Sequence, residues 1–471
     1  MGTGNNKNRL LRAFFVCVLA SVFAYGISVS LRSLGLDLKV FNPISDLLIS
    51  ANKVDNGHDE TGLLAETSHL SNRPKKDINT EETNTQDEHN DFINSTDDTL
   101  SISTSEETKI LIDFSAEKDA LGRLRDKLRN AQNESLHIAF FGDSFTEGDI
   151  LVGDFRRMLQ RDFGGKGVGY VPATSPTARF RTTIKHRYSG DWKPVTLLHS
   201  GTFTTSGRYD KLNGVGNVSY TMTSRVGSNS EVDKISIIYE SEAPTSITTT
   251  LNDTLSTTYQ LVSTGSSLLS ILREGIEGSS IKSFSFKAES EDLRIHGVYL
   301  DGSSGVSVDN ISMRGASGGE LTRIKEELYS QMRDVRNYQV VIISFGLNAL
   351  SVDDNNDEYY WYYKKLKKSI QHLKNLCPEA VFLILSVSDR ATLVDGKVVT
   401  LPAVYKVRQH QKQLAREEEC LFWDTFSVVK SFGGIETMVE KGWAAKDYTH
   451  LSGAGGRQLA TKLYESLVKE Q

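Results

Sequence analysis

Two fragments of the chain are apolar on both alternating faces and run into a glycine. They are His137-Ile138-Ala139-Phe140-Phe141-Gly142 and Val340-Val341-Ile342-Ile343-Ser344-Phe345-Gly346. A strand with apolar side chains on both faces needs cover on both, which is the situation of a parallel strand inside an α/β sheet. Ligands of open α/β sheets bind beyond the carboxyl ends of their strands. The residues after each run therefore matter most: Asp143-Ser144 after the first and Leu347-Asn348 after the second.

Near the C-terminus the chain reads Lys446-Asp447-Tyr448-Thr449-His450-Leu451-Ser452. A serine hydroxyl is a weak nucleophile, so a neutral imidazole must take its proton and a carboxylate must hold that imidazole in one tautomer. Ser144, His450 and Asp447 supply these groups, and the three-residue spacing lets one short loop carry base and orienter together. Charge developing on an attacked carbonyl oxygen needs fixed donors. Candidates are the Ser144 N–H, expected at a helix N-terminus, the Gly315 N–H and the Asn348 side-chain amide. Gly315 lies in Asp309-Asn310-Ile311-Ser312-Met313-Arg314-Gly315-Ala316, which reads as a strand entering a loop. Asp143 is expected to support the turn by a hydrogen bond. Taken singly, each fragment is ordinary turn chemistry; four in this order, two of them at strand ends, point to a hydrolase.

These blocks resemble the SGNH (GDSL-type) hydrolases, whose ordered serine, glycine, asparagine and histidine match Ser144, Gly315, Asn348 and His450, with Asp447 completing the triad. The resemblance covers roughly residues 116–164 and 306–471. It is strongest toward extracytoplasmic bacterial proteins of the peptidoglycan O-acetylesterase type, through Gly142-Asp143-Ser144-Phe145-Thr146-Glu147-Gly148-Asp149, Gly315-Ala316, Phe422-Trp423-Asp424, Gly433-Gly434 and Asp447-Tyr448-Thr449-His450. Phe145 and Ala349 stand where relatives often carry a histidine and an acidic residue. The resemblance implies a three-layer α/β/α, doubly wound parallel sheet of flavodoxin-like type. It also implies a carboxylic ester hydrolase working through an acyl-enzyme without a cofactor.

Lys7, Arg9 and Arg12 precede an uncharged stretch over 13–31 that is long enough to cross a bilayer, and positive residues favour the cytoplasmic side. Residues 1–34 are expected to form a signal anchor that leaves the body periplasmic or extracellular. A signal peptide cleaved near Ala24 and Gly26 is the alternative, and it exports the body as well. Residues 35–115 read as a polar, acidic linker, richest in Asp, Glu, Asn, Thr and Ser over about 52–108, with too little apolar surface to fold.

Helical periodicity over 116–131, with Leu121, Leu124 and Leu128 on one face, opens the catalytic body. A second helix over 151–161 ends at Gly164-Gly165. Between 165 and 305 the pattern changes to short alternating segments such as Lys234-Ile235-Ser236-Ile237-Ile238-Tyr239, which predict an inserted β-sandwich. In the esterase relatives such an insert resembles a carbohydrate-binding module, so Tyr188, Trp192, Tyr209 and Tyr220 are candidates for stacking on sugars. From 306 to 471 strands near 306–312, 339–345, 380–386 and 421–424 alternate with helices, as a doubly wound sheet requires.

A net charge of −6 without a basic stripe argues against nucleic acid as partner. His186, His296, His372 and His410 form no metal-ligand grouping, so no metal is expected. The reading is an esterase that removes small acyl groups, acetyl first, from an envelope or extracellular polysaccharide such as peptidoglycan. An O-acetyltransferase using the same triad, or a tethered glycan-binding protein with an inactive hydrolase domain, are the alternatives. Cys377 and Cys420 precede two strands expected to be neighbours, and an exported domain would allow them to pair, two free thiols being the other outcome.

Overall fold

The computed structural model describes residues 109–223, 231–265, 269–275, 280–351 and 358–469. The expected anchor over 1–34 lies outside them, as does all but the end of the 35–115 linker. Among the described residues no helix is long and apolar enough to cross a membrane.

One six-stranded sheet is built from β1 (Leu111–Asp113), β2 (Leu136–Gly142), β3 (Val306–Ser312), β4 (Tyr338–Ser344), β5 (Val381–Leu385) and β6 (Leu421–Trp423). Its spatial order is β1-β6-β5-β4-β2-β3. Strands β2 to β6 pair in parallel, whereas β1 adds an antiparallel edge against β6. The order changes direction beside β2, because β3 and β4 lie on either side of it. A ligand crevice is expected at such a switch point, at the carboxyl ends of the strands. The longer helices are α1 (Ala120–Asn130), α2 (Val152–Phe163), α3 (Tyr360–Leu376), α4 (Pro402–Glu417) and α5 (Gly453–Val468). Helices α1, α2 and α5 pack together, and α3 packs on α4. Phe140 and Phe141 of β2 are fully buried, Phe140 meeting Phe155 of α2 edge-on at 6.3 Å. Each aromatic buried in this way contributes about 1.5–3 kcal/mol.

The chain between α2 and β3 forms a separate antiparallel sheet of nine strands, from Gly169–Val171 to Arg294–Asp301. It has its own apolar cluster around Ile235, Ile237, Phe284 and Val298. A buried charge cluster stitches it to the parallel sheet. The Arg336 guanidinium donates to Asp301 Oδ2 at 2.8 Å and to Asp309 Oδ2 at 2.6 Å. Asp301 ends the last strand of the insert and Asp309 belongs to β3, while Asp309 Oδ1 also accepts the Tyr170 N–H at 2.8 Å.

Cys377 and Cys420 are both buried and unpaired. Their strands β5 and β6 are parallel neighbours as expected, but the register Leu383↔Leu421 puts Cys420 level with Phe382, five residues beyond Cys377. Cys377 Sγ instead donates to the Tyr329 hydroxyl at 3.4 Å, and Cys420 Sγ to Glu418 O at 3.1 Å.

Candidate active site

Strand β2 ends at Gly142, and the chain turns at once, with Thr146 N–H donating to Asp143 O at 3.3 Å and Glu147 N–H to Ser144 O at 3.4 Å. Ser144 projects from this turn. A short 3-10 turn, Glu147–Asp149, follows and α2 begins only at Val152, so Ser144 precedes the 3-10 turn instead of capping the α-helix that the sequence suggested. The turn is braced from beneath. Asn310 Nδ2 of β3 donates to Thr146 O at 2.8 Å and to Asp149 Oδ1 at 2.9 Å, and the Ser312 hydroxyl lies 2.9 Å from that of Thr146.

His450 arrives on the loop before α5. Its Nε2 lies 3.0 Å from Ser144 Oγ and its Nδ1 lies 2.6 Å from Asp447 Oδ2. The other Asp447 oxygen accepts the backbone N–H groups of Thr449 and His450, both at 3.0 Å. One carboxylate thus shapes the loop and holds Nδ1–H, leaving Nε2 as the acceptor for the serine proton. Burial opposes ionisation of Asp447, but the hydrogen bond and charge of His450 hold its carboxyl below the usual range. Close packing seats the loop: a Cβ on Gly456 in the first turn of α5 would lie 2.0 Å from Ile150 O, so only glycine lets this turn approach the segment that follows Ser144.

Gly315 and Asn348 stand at the ends of β3 and β4. Gly315 has φ +81, a left-handed conformation that disfavours any side chain there. Asn348 Nδ2 donates to Ala316 O at 2.9 Å, which ties the two loops together and commits one of its two N–H groups. Arg390 Nη1 donates to Leu347 O at 3.1 Å, and Gln411 spans Phe345 O (2.7 Å) and Val387 N–H (2.6 Å), steadying the same loop. Neither Arg390 nor Gln411 carried a sequence signal, since each acts through a backbone group that only the fold brings near.

Asp143 is buried, and its Oδ1 accepts the Phe145 N–H at 2.9 Å. Burial pushes its carboxyl up to about 6, against the opposing influence of that hydrogen bond, of His450 and of the Asn348 amide. The folded protein therefore binds this proton more tightly than the unfolded chain, and stability falls as pH rises from the ordinary carboxylate range through about 6. Asp143→Asn removes that cost. Its stability relative to wild type should grow between pH 4 and pH 8 by up to roughly 3 kcal/mol. Thermal unfolding at pH 4, 6 and 8 measures this, and a pH-independent difference would sink it.

Of the aromatics singled out in the insert, Tyr220 is a core residue. It is fully buried, its ring stacked 4.8 Å from His186 and 6.3 Å from Phe284. Tyr209 stacks on Phe203 at 5.9 Å. Trp192 shows only an edge, whereas Tyr188 is 43% exposed.

No protein-family model matches the chain, and no curated protein sequence does. Among solved structures it is similar to a peptidoglycan O-acetylesterase, with TM-score 0.60 and 22% identity over 76% of this chain and 98% of that one. It also overlaps an acetyl xylan esterase, AlAXEase (TM-score 0.26, 17% identity, 35% of this chain and 81% of that one). A family two carbohydrate esterase from Clostridium thermocellum in complex with cellohexaose overlaps at TM-score 0.25 and 10% identity, over 60% of this chain and 97% of that one. The first of these shares this chain's fold, a parallel-stranded α/β body with an added antiparallel sheet.

Proposed function

We propose that this protein is a serine esterase that removes small acyl groups, acetyl first, from hydroxyls of an envelope or extracellular polysaccharide. The observation that carries this reading is the unbroken line from Ser144 Oγ to His450 Nε2 at 3.0 Å and from His450 Nδ1 to Asp447 at 2.6 Å. Acetyl and glycan are proposed because the similar structure is described as a peptidoglycan O-acetylesterase. In this reading the six-stranded body is doubly wound, the insert over 165–305 faces the polymer, and the stretch over 13–31 anchors the chain with its body outside the cytoplasm.

The Ser144–His450–Asp447 geometry supports the following chemistry. Ser144 Oγ attacks the ester carbonyl carbon while His450 Nε2 takes its proton, and Asp447 stabilises the imidazolium. In this reading the oxyanion is met by the Gly315 N–H and the Asn348 side-chain amide. The sugar hydroxyl leaves with the proton from His450. Water then attacks the acyl-serine by the reverse proton path and acetate departs.

Asn348→Ala is expected to lower kcat by roughly 10²–10³-fold, the usual loss for one oxyanion donor. The reading itself is tested by acetate release from O-acetylated peptidoglycan and from acetylated plant polysaccharides, alongside p-nitrophenyl acetate. Folded wild-type protein that turns over none of them is not an esterase.

A further inference from the structure

A cleft of about 380 Å³ opens between the catalytic strand ends and the insert. One wall is the strand Ile184–Thr196, through Tyr188, Trp192 and Pro194; the other includes Glu147, three residues after Ser144, and Arg314, the residue before Gly315. Arg208 also lines it. The volume lies within the roughly 300–1,000 Å³ typical of small-ligand sites, and an apolar lining with a few convergent polar groups is their usual composition. Leu198, which also lines the cleft, comes within 3.6 Å of where a Gly315 Cβ would stand, so the cleft borders Gly315.

Charge bookkeeping decides what it holds. The Arg314 guanidinium is ion-paired with Glu147. Arg208 is paired with the buried Asp210 at 2.5 Å, and Asp210 is fixed in turn by the Thr174 hydroxyl at 2.6 Å. Each cation is neutralised by a carboxylate of this chain, so the cleft offers donors and an acceptor without net charge. Tyr188 and Pro194 add exposed apolar faces on the strand, where the C–H face of a sugar ring can lie. An anionic ligand would find no net positive charge to offset its desolvation, whereas a hydroxyl-bearing one can donate to Glu147 and accept from guanidinium N–H groups that the ion pairs leave over.

We infer that this cleft is a subsite for an uncharged pyranose unit next to the sugar that carries the ester, and this rests on the esterase reading above. Two variants test it. Tyr188→Ala removes an exposed ring, and Thr196→Trp places bulk on the cleft wall. Both are compared with wild type in the full-length chain, using a partly O-acetylated tetramer of N-acetylglucosamine and p-nitrophenyl acetate. Each variant is expected to raise KM for the tetramer about tenfold, the size of one good aromatic contact, with kcat and small-ester turnover within about twofold. The tetramer KM should also stay within about twofold between 50 and 500 mM salt, as for an uncharged ligand.

Binding of the unacetylated tetramer, followed by calorimetry, gives a readout that does not depend on turnover. It should weaken in both variants, and tetragalacturonate should bind more weakly than the neutral tetramer to wild type. Unchanged tetramer affinity in both variants, or a preference for tetragalacturonate, would overturn the subsite. Loss of small-ester turnover in wild type, with tetramer binding retained, would count against the esterase reading instead.

Discussion

Alanine at Ser144 or at His450 is expected to reduce ester turnover by about 10⁴–10⁶-fold while leaving the fold intact, the scale of losing one member of a nucleophile–base pair. Ser144 is half-buried and His450 buried beyond the strand ends, each on a loop outside the apolar cluster of the sheet, so neither replacement removes a core contact. The two replacements together should cost little more than either alone, because a base without a nucleophile has nothing to deprotonate and a nucleophile without a base keeps its proton. Single-turnover and steady-state rates on p-nitrophenyl acetate, with circular dichroism to confirm folding, decide it. Additive losses in the double variant would mean that Ser144 and His450 act independently despite their 3.0 Å separation.

Asp447→Asn separates orientation from proton transfer. The amide keeps the shape of the loop but no longer places a carboxylate against Nδ1, so the ring loses its bias toward the productive tautomer. The depressed Asp447 carboxyl also contributes stability that is present above the ordinary carboxylate range and fades as pH falls through its folded value.

The triad and the central strands were legible because their signals are local. Strand β2 advertises itself through apolar residues on both faces, and Asp447 and His450 sit close enough in the chain to share one loop. Strand β1 was not legible: three residues, Leu111–Asp113, carry no period of their own and become a strand only by pairing with β6. The two-stranded hairpin Ala391–Val394 and Lys397–Thr400 was missed for the same reason. The cysteine pairing failed because adjacency of β5 and β6 fixes the sheet position but not the register. The buried charges were the least visible. Arg156, Arg181 and Arg336 carry no sequence signal of burial, yet Arg156 and Arg336 are completely buried and the Arg181 side chain nearly so, Arg156 and Arg181 against Asp149 and Arg336 against Asp301 and Asp309.

Asp149 stands at the centre of one such cluster, and its removal should produce the largest loss of stability in the catalytic half. Its Oδ2 accepts from Arg156 Nη1 at 3.0 Å and Thr183 Oγ1 at 2.5 Å and is ion-paired with Arg181 Nη2 at 2.6 Å; its Oδ1 accepts from Arg156 Nη2 at 3.2 Å and Asn310 Nδ2 at 2.9 Å. Burial alone would raise this carboxyl, but Arg156 and Arg181 overcome it and hold it far below the carboxylate range. The contribution therefore persists well into acid. Asp149→Ala leaves two guanidiniums buried without a counter-charge, a defect that costs about 3–5 kcal/mol. Asp149→Asn keeps the volume and should still lose most of that, because a neutral amide cannot balance two cations. Turnover should fall as well, since Asn310 bonds Asp149 and the carbonyl of Thr146, two residues beyond Ser144. Adding Arg156→Leu to Asp149→Ala should recover part of the lost stability by removing one stranded charge, without restoring turnover. Urea midpoints and kcat for the three variants test this: a loss below about 1 kcal/mol in Asp149→Ala, the scale of a solvent-exposed pair, would mean that water rather than Asp149 satisfies the two arginines.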